Sequence, residues 1–92
     1  MMCLVFWDKK IIDGVYRKLS SRNILYTQLY LPDQIWSIVL EFSTPPIEQG
    51  YECIADEVYF LADTAPHYLL ADGFKFDFLD DPRKIGECIV TT

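Results

Sequence analysis

Two stretches of strict alternation constrain this chain more than anything else in it. In Trp36-Ser37-Ile38-Val39-Leu40-Glu41-Phe42, the residues Trp36, Ile38, Leu40 and Phe42 share one face of an extended chain. In Phe74-Lys75-Phe76-Asp77-Phe78-Leu79, three phenylalanines alternate with Lys75, Asp77 and Leu79. A helix would scatter these side chains around its axis, so both segments read as strands. Residues 3–7, 24–31, 52–62 and 84–91 add further strands. The 24–31 run ends at Pro32-Asp33-Gln34, a turn short enough to make a hairpin with the 36–42 strand.

Elsewhere the period changes. Ile11, Ile12, Val15, Tyr16 and Leu19 fall at helical spacing, with Lys9, Lys10, Asp13, Arg17 and Lys18 on the other side. Residues 9–20 are thus either a helix, weakened by Gly14, or a loop and strand. Ser43-Thr44-Pro45-Pro46 cannot continue a sheet. Asp63-Thr64-Ala65-Pro66 signals a short helical turn over 63–70, and Asp80-Asp81-Pro82-Arg83 a tight turn. With 92 residues, 51% of them hydrophobic, one domain is expected over 1–92. Residues 1–22 would supply a strand plus the ambiguous segment, and 24–91 the antiparallel strands. The expected fold is mainly β: an antiparallel β-barrel of about six strands, with one short helical turn and a possible N-terminal helix. Closure would hide the strand edges.

The formal net charge of −6 is unevenly spread. Residues 1–46 carry five basic and four acidic side chains, whereas residues 47–92 carry three basic and ten acidic. Such a field repels phosphate backbones, which argues against general nucleic-acid binding and suits either simple solubility or a basic protein partner. The acidic residues that could face such a partner are Asp56, Glu57, Asp80 and Asp81. The stretch 9–22 reverses the sign with five basic residues and one acidic. Its Arg17, Lys18 and Arg22, near Tyr16, Tyr26 and Tyr30, form either an ordinary solvated face or an RNA-facing edge.

Catalytic and metal motifs are missing from the sequence. His67 is the one histidine, and it follows Pro66 in a turn, where a surface or capping role accounts for it. Cys3, Cys53 and Cys88 form no C-x-x-C pair and read as reduced, buried thiols, with a Cys53–Cys88 bridge as the alternative. The four glycines form no phosphate cradle. No metal, cofactor or enzymatic activity is expected. The opening Met1-Met2-Cys3-Leu4-Val5-Phe6-Trp7 has no basic region before it, and no apolar run approaches a membrane span, so a cytoplasmic protein without membrane contact is expected.

Residues 36–90 resemble the C-terminal β-barrel, the third domain, of elongation factor Tu and small stand-alone proteins of that fold. Three segments carry the resemblance. The first is the strand from Trp36 to Phe42 with its prolines. The second is the strand from Ala55 to Leu61, followed by His67-Tyr68-Leu69-Leu70-Ala71-Asp72-Gly73-Phe74-Lys75-Phe76. The third is Asp81-Pro82-Arg83-Lys84-Ile85-Gly86-Glu87-Cys88-Ile89-Val90, similar to a closing hairpin that reads valine-glycine-x-glycine-valine-valine. Cys88 stands where the second glycine would be. In the N-terminal third only Tyr16-Arg17 echoes the family's tyrosine-arginine-proline, with Lys18 in the proline's place. The resemblance implies a docking domain without GTP hydrolysis, and it carries over no functional residue. The reading that follows is a non-catalytic protein-binding module of inhibitor or immunity type with an acidic face, the alternative being an RNA-binding or translation-associated module.

Overall fold

The computed structural model describes residues 1–80 and 83–91. Its strands are β1 (Met2–Trp7), β2 (Ile24–Leu31), β3 (Gln34–Glu41), β4 (Glu52–Ala55), β5 (Glu57–Phe60), β6 (Lys75–Asp80) and β7 (Arg83–Thr91). All pair antiparallel in one sheet, in the order β4–β1–β7–β6–β2–β3–β5. The mainly β expectation holds. Three details of it need correction.

First, the strand expected over 52–62 is two strands. Cys53 and Ala55 point into the core, and so do Val58 and Phe60, so the inward parity switches between them. The switch is made at Asp56. Residues 52–55 pair with β1, and residues 57–60 pair with β3. Asp56 carries the chain from one partner to the other, its own N–H donating to Glu41 O at 2.8 Å. An extra residue between two pairings turns every later side chain to the opposite face.

Second, the sheet is not a closed ring of paired strands. β4 and β5 occupy its two ends and do not pair with each other, although they are consecutive in the chain. The outer edge of β4 is covered by Gln49, whose Oε1 accepts from Ile54 N at 2.8 Å and whose Nε2 donates to Ile54 O at 3.1 Å. Gln49 ends α2 (Pro46–Gln49), a short helix that opens with a proline.

Third, the N-terminal helix is brief. Asp8 caps α1 (Lys9–Ile11) by accepting from Lys10 N and Ile11 N. A π turn (Ile12–Tyr16) follows and is closed by Arg17 N donating to Ile12 O at 2.7 Å. Arg17 stops it, with φ 74° in the left-handed region. The expected turn over 63–70 is a 3-10 turn at His67–Leu69. The tight turn expected over 80–83 includes Asp81 and Pro82, which lie outside the described residues.

The core centres on β1, β6 and β7. Phe78 is fully buried, its ring 5.2 Å from that of Trp7 in an edge-to-face arrangement. Gly86 stands opposite Trp7 on one side and Phe78 on the other. A Cβ at position 86 would lie 2.5 Å from the Phe78 ring and 2.6 Å from Phe6 O. The glycine therefore makes room for the aromatic pair. The three cysteines are buried and free. Cys53 and Cys88 both stand opposite Val5, from different neighbouring strands, and the Trp7 indole N–H donates to Cys53 Sγ at 3.3 Å. Burial pushes the Cys88 thiol well above its ordinary value, with Cys3 beside it adding to the effect.

Glycine substitutions separate the two environments. Gly86→Ala is expected to cost about 2–4 kcal/mol, or to abolish folding, because neither the ring nor the Phe6 carbonyl can retreat far. Gly14→Ala, which meets nothing within 4 Å, is expected to gain up to about 1 kcal/mol. Urea unfolding of both variants checks this.

Candidate functional site

The outer surface of the β2–β3–β5 half of the sheet is where apolar side chains fail to find cover. The two-residue turn between β2 and β3 sets the register, placing Ile24 opposite Glu41, Tyr26 opposite Val39, Gln28 opposite Ser37 and Tyr30 opposite Ile35. On the far side of β3, Glu57 lies opposite Glu41 and Tyr59 opposite Val39. Leu61 continues that side, its N–H donating to Ser37 O at 3.1 Å. The resulting face is a central row of Tyr26, Val39 and Tyr59, with Ile35, Tyr30 and Leu61 towards one end and Ile24 towards the other. Val39 is fully covered, yet Tyr26 is 69% and Leu61 58% exposed. Tyrosines, apolar in the ring and polar at the tip, are among the side chains enriched at protein interfaces.

Acidic groups close one end of this face. Glu41 and Glu57 are directly opposite one another, an arrangement that costs stability in an antiparallel pair. The Tyr59 hydroxyl donates to Glu41 Oε2, and this bond, more than partial burial, holds the Tyr59 hydroxyl above its ordinary value. Glu57 Oε2 meets the Met1 amino group at 3.3 Å. Among the described residues no side-chain cation pairs with Glu41, Asp56 or Glu57. Asp56 is fixed by accepting from Ser43 N at 2.6 Å. That backbone bond, reinforced by the Ser43 hydroxyl, lowers its carboxyl from the ordinary 3.8.

The acidic residues singled out in the sequence do not form one patch. Asp56 and Glu57 stand together at the β4–β5 junction, while Asp80 ends β6. Strands β3 and β2 lie between β5 and β6, a separation of about 14 Å at ordinary strand spacing. Asp81 lies outside the described residues. Asp80 belongs instead to a cleft with two of the basic candidates. Lys18 and Arg22 line a cavity of about 410 Å³ between the 12–22 segment and strands β2, β6 and β7, with Asp80 on the same wall system. Arg17, on its left-handed turn, is outside that lining.

His67 is exposed. Its ring packs edge-on against Phe60 at 5.7 Å, and Nε2 lies 3.1 Å from Asp63 O. Among the described residues no group of three His, Cys, Asp or Glu side chains is placed to hold a metal ion, and no helix is long and apolar enough to cross a membrane. The sequence reading missed Glu41, Tyr59, Ile35 and Leu61 as members of one face. The hairpin turn at 32–33 fixes Tyr26 against Val39 and Ile24 against Glu41, so half the face was within reach of pattern reading. The β3–β5 register, which brings in Tyr59 and Glu57, has no local signal. No family model matches the chain, and no curated protein or solved structure shows significant similarity to it.

The Asp56 contact makes stability depend on pH. A carboxyl lowered in the folded state contributes stability above its unfolded value, and the contribution is lost as pH falls through the folded value. Wild type is therefore expected to be more stable than Asp56→Asn at pH 7, with the gap shrinking below about pH 4 and vanishing once the folded-state carboxyl is protonated. Chemical unfolding of the two proteins from pH 7 to pH 2 measures it.

Proposed function

We propose that this protein is a non-catalytic binding module whose partner is a protein with a basic, partly apolar surface, docked on the β2–β3–β5 face. The observation that carries the reading is the row Tyr26–Val39–Tyr59 ending at the opposed carboxylates Glu41 and Glu57. Exposed tyrosines lose little conformational entropy when a partner covers them. A cation arriving between Glu41 and Glu57 would relieve the part of their repulsion that the Met1 amino group and the Tyr59 hydroxyl leave in place. The pairing of an apolar centre with charge at its margin is the usual anatomy of a protein interface. The excess of carboxylates in the second half of the chain steers the same class of partner from a distance.

The likeness of residues 36–90 to the third domain of elongation factor Tu points towards docking as well, without nucleotide chemistry. An inhibitor or immunity-type protein is the form of module this reading favours, since charge complementarity sets both the speed and the selectivity of such complexes.

Comparative capture tests it. Immobilised wild-type protein is expected to retain a basic partner from cell extract in a salt-dependent manner. Tyr26→Ala with Tyr59→Ala, and separately Glu57→Lys, should each lower retention at least tenfold, with folding verified by circular dichroism. A partner held equally by all these proteins would contradict the assignment.

A further inference from the structure

We infer that the cleft between the 12–22 segment and strands β2, β6 and β7 binds a small amphipathic anion, a molecule with one carboxylate, sulfonate or phosphate head on a compact apolar body. This goes beyond the protein-docking reading and rests on a different surface, with Tyr26 alone at the border of both.

Three properties of the cleft support this assignment. Its volume, about 410 Å³, falls within the range of small-molecule pockets, about 300–1,000 Å³. Its lining is apolar at depth, where Trp7, Ile12 and Ile85 are all buried core residues, and Leu25 is half-buried beside them. At its rim stand Lys18 and Arg22, both exposed and, among the described residues, neither ion-paired. Among the described residues, the one carboxylate in the lining already has a donor. Asp80 accepts from the Tyr16 hydroxyl, and Arg83, which faces Asp80 across the β6–β7 pairing, acts on that same hydroxyl. Among the described residues, the cleft thus presents two cations without an ion pair above an apolar floor, in a protein of net charge −6.

The same geometry disfavours other occupants. A basic or neutral peptide would leave Lys18 and Arg22 unpaired or opposed. A nucleic-acid strand needs a track of cations, but Arg17 lies outside the cleft lining. The local chain is shaped for the purpose. The π turn brings Ile12 and Tyr16 to the lining, and the left-handed Arg17 then turns the chain so that Lys18 and Arg22 reach the rim. Such turns, and non-glycine residues at positive φ, occur disproportionately at functional sites.

The test uses the whole chain and two anionic probes, decanoate and 1-anilinonaphthalene-8-sulfonate, with decanol as the neutral control. Binding is followed by calorimetry and by amide shifts in two-dimensional NMR spectra, which also verify folding. Saturable one-site binding of at least one anion is expected, with shifts concentrated at Lys18, Ser20, Arg22, Thr27 and Ile85. The Lys18→Ala/Arg22→Ala protein should bind at least tenfold more weakly. Arg17→Gly, which removes one positive charge outside the lining and relieves the positive φ, should bind as wild type does. Preference for decanoate would mark an acyl anion as the natural class, and preference for the naphthalene sulfonate an aromatic one. The inference is overturned by no saturable binding of either anion at millimolar concentration, by decanol binding as tightly as decanoate, or by equal losses in Arg17→Gly. Salt-steep binding of an oligouridylate that needs Arg17 as much as Lys18 and Arg22 would also overturn it, in favour of an RNA surface. These outcomes leave the tyrosine face untouched, so the two readings fail separately.

Discussion

Seven short strands can bury one face in a chain of this size only if the two ends of the sheet are brought near each other, and a single stretch of chain does this. Residues 52–55 extend one edge by pairing with β1, and residues 57–60 extend the other by pairing with β3. Asp56 lies between them, anchored by its N–H to Glu41 O and by its carboxylate to Ser43 N. The sheet is held in its curve by this covalent continuity, helped by the Val58 N–H donating to Met1 O at 3.2 Å, at the place where a closed barrel would use a full row of interstrand bonds. Everything inside follows from that curve. Cys53 and Ala55 meet the β1 side of the core, Val58 and Phe60 meet the β3 side, and Phe78 is enclosed between Trp7 and Gly86.

The sequence made the regular parts legible and hid the irregular ones, for physical reasons. Alternation marked 36–42 and 74–78 because each strand has one face on the core, where Ile38, Leu40, Phe42, Phe76 and Phe78 are buried. It misassigned 52–62 because both sides of that run carry apolar residues, so the parity change at Asp56 left no trace in the pattern. Ile54 and Leu61 are as apolar as the core residues beside them, yet both are exposed. Residues 9–20 were ambiguous for a related reason. Their apolar spacing fits a helix, but Arg17 takes a left-handed conformation that composition does not announce. The number of strands, seven against about six, differs only through the break at Asp56.

Placement of the charged residues needed the tertiary structure. Asp56, Glu57 and Asp80 are all acidic and all at strand ends, but the strand order puts β3 and β2 between the first two and the third. Glu41, unremarkable in the sequence, becomes central because the β3–β5 register sets it against Glu57 and within reach of the Tyr59 hydroxyl. The basic stretch is likewise divided by the fold, with Lys18 and Arg22 on the cleft and Arg17 off it. One surface thus combines tyrosines with carboxylates, and another combines cations with an apolar recess. A protein optimised for stability alone would not keep the opposed glutamates.

Native-state hydrogen exchange tests the central claim most directly, because a shared run of chain links the fates of both sheet edges. If residues 52–60 hold the curve as one unit, the hydrogen-bonded amides of β4 and β5 open with the same free energy, close to that of global unfolding measured at the centre of β6 and β7. Opening of β5 at a much lower free energy than β4, with β4 and the core still protected, would show a frayed edge and contradict the account.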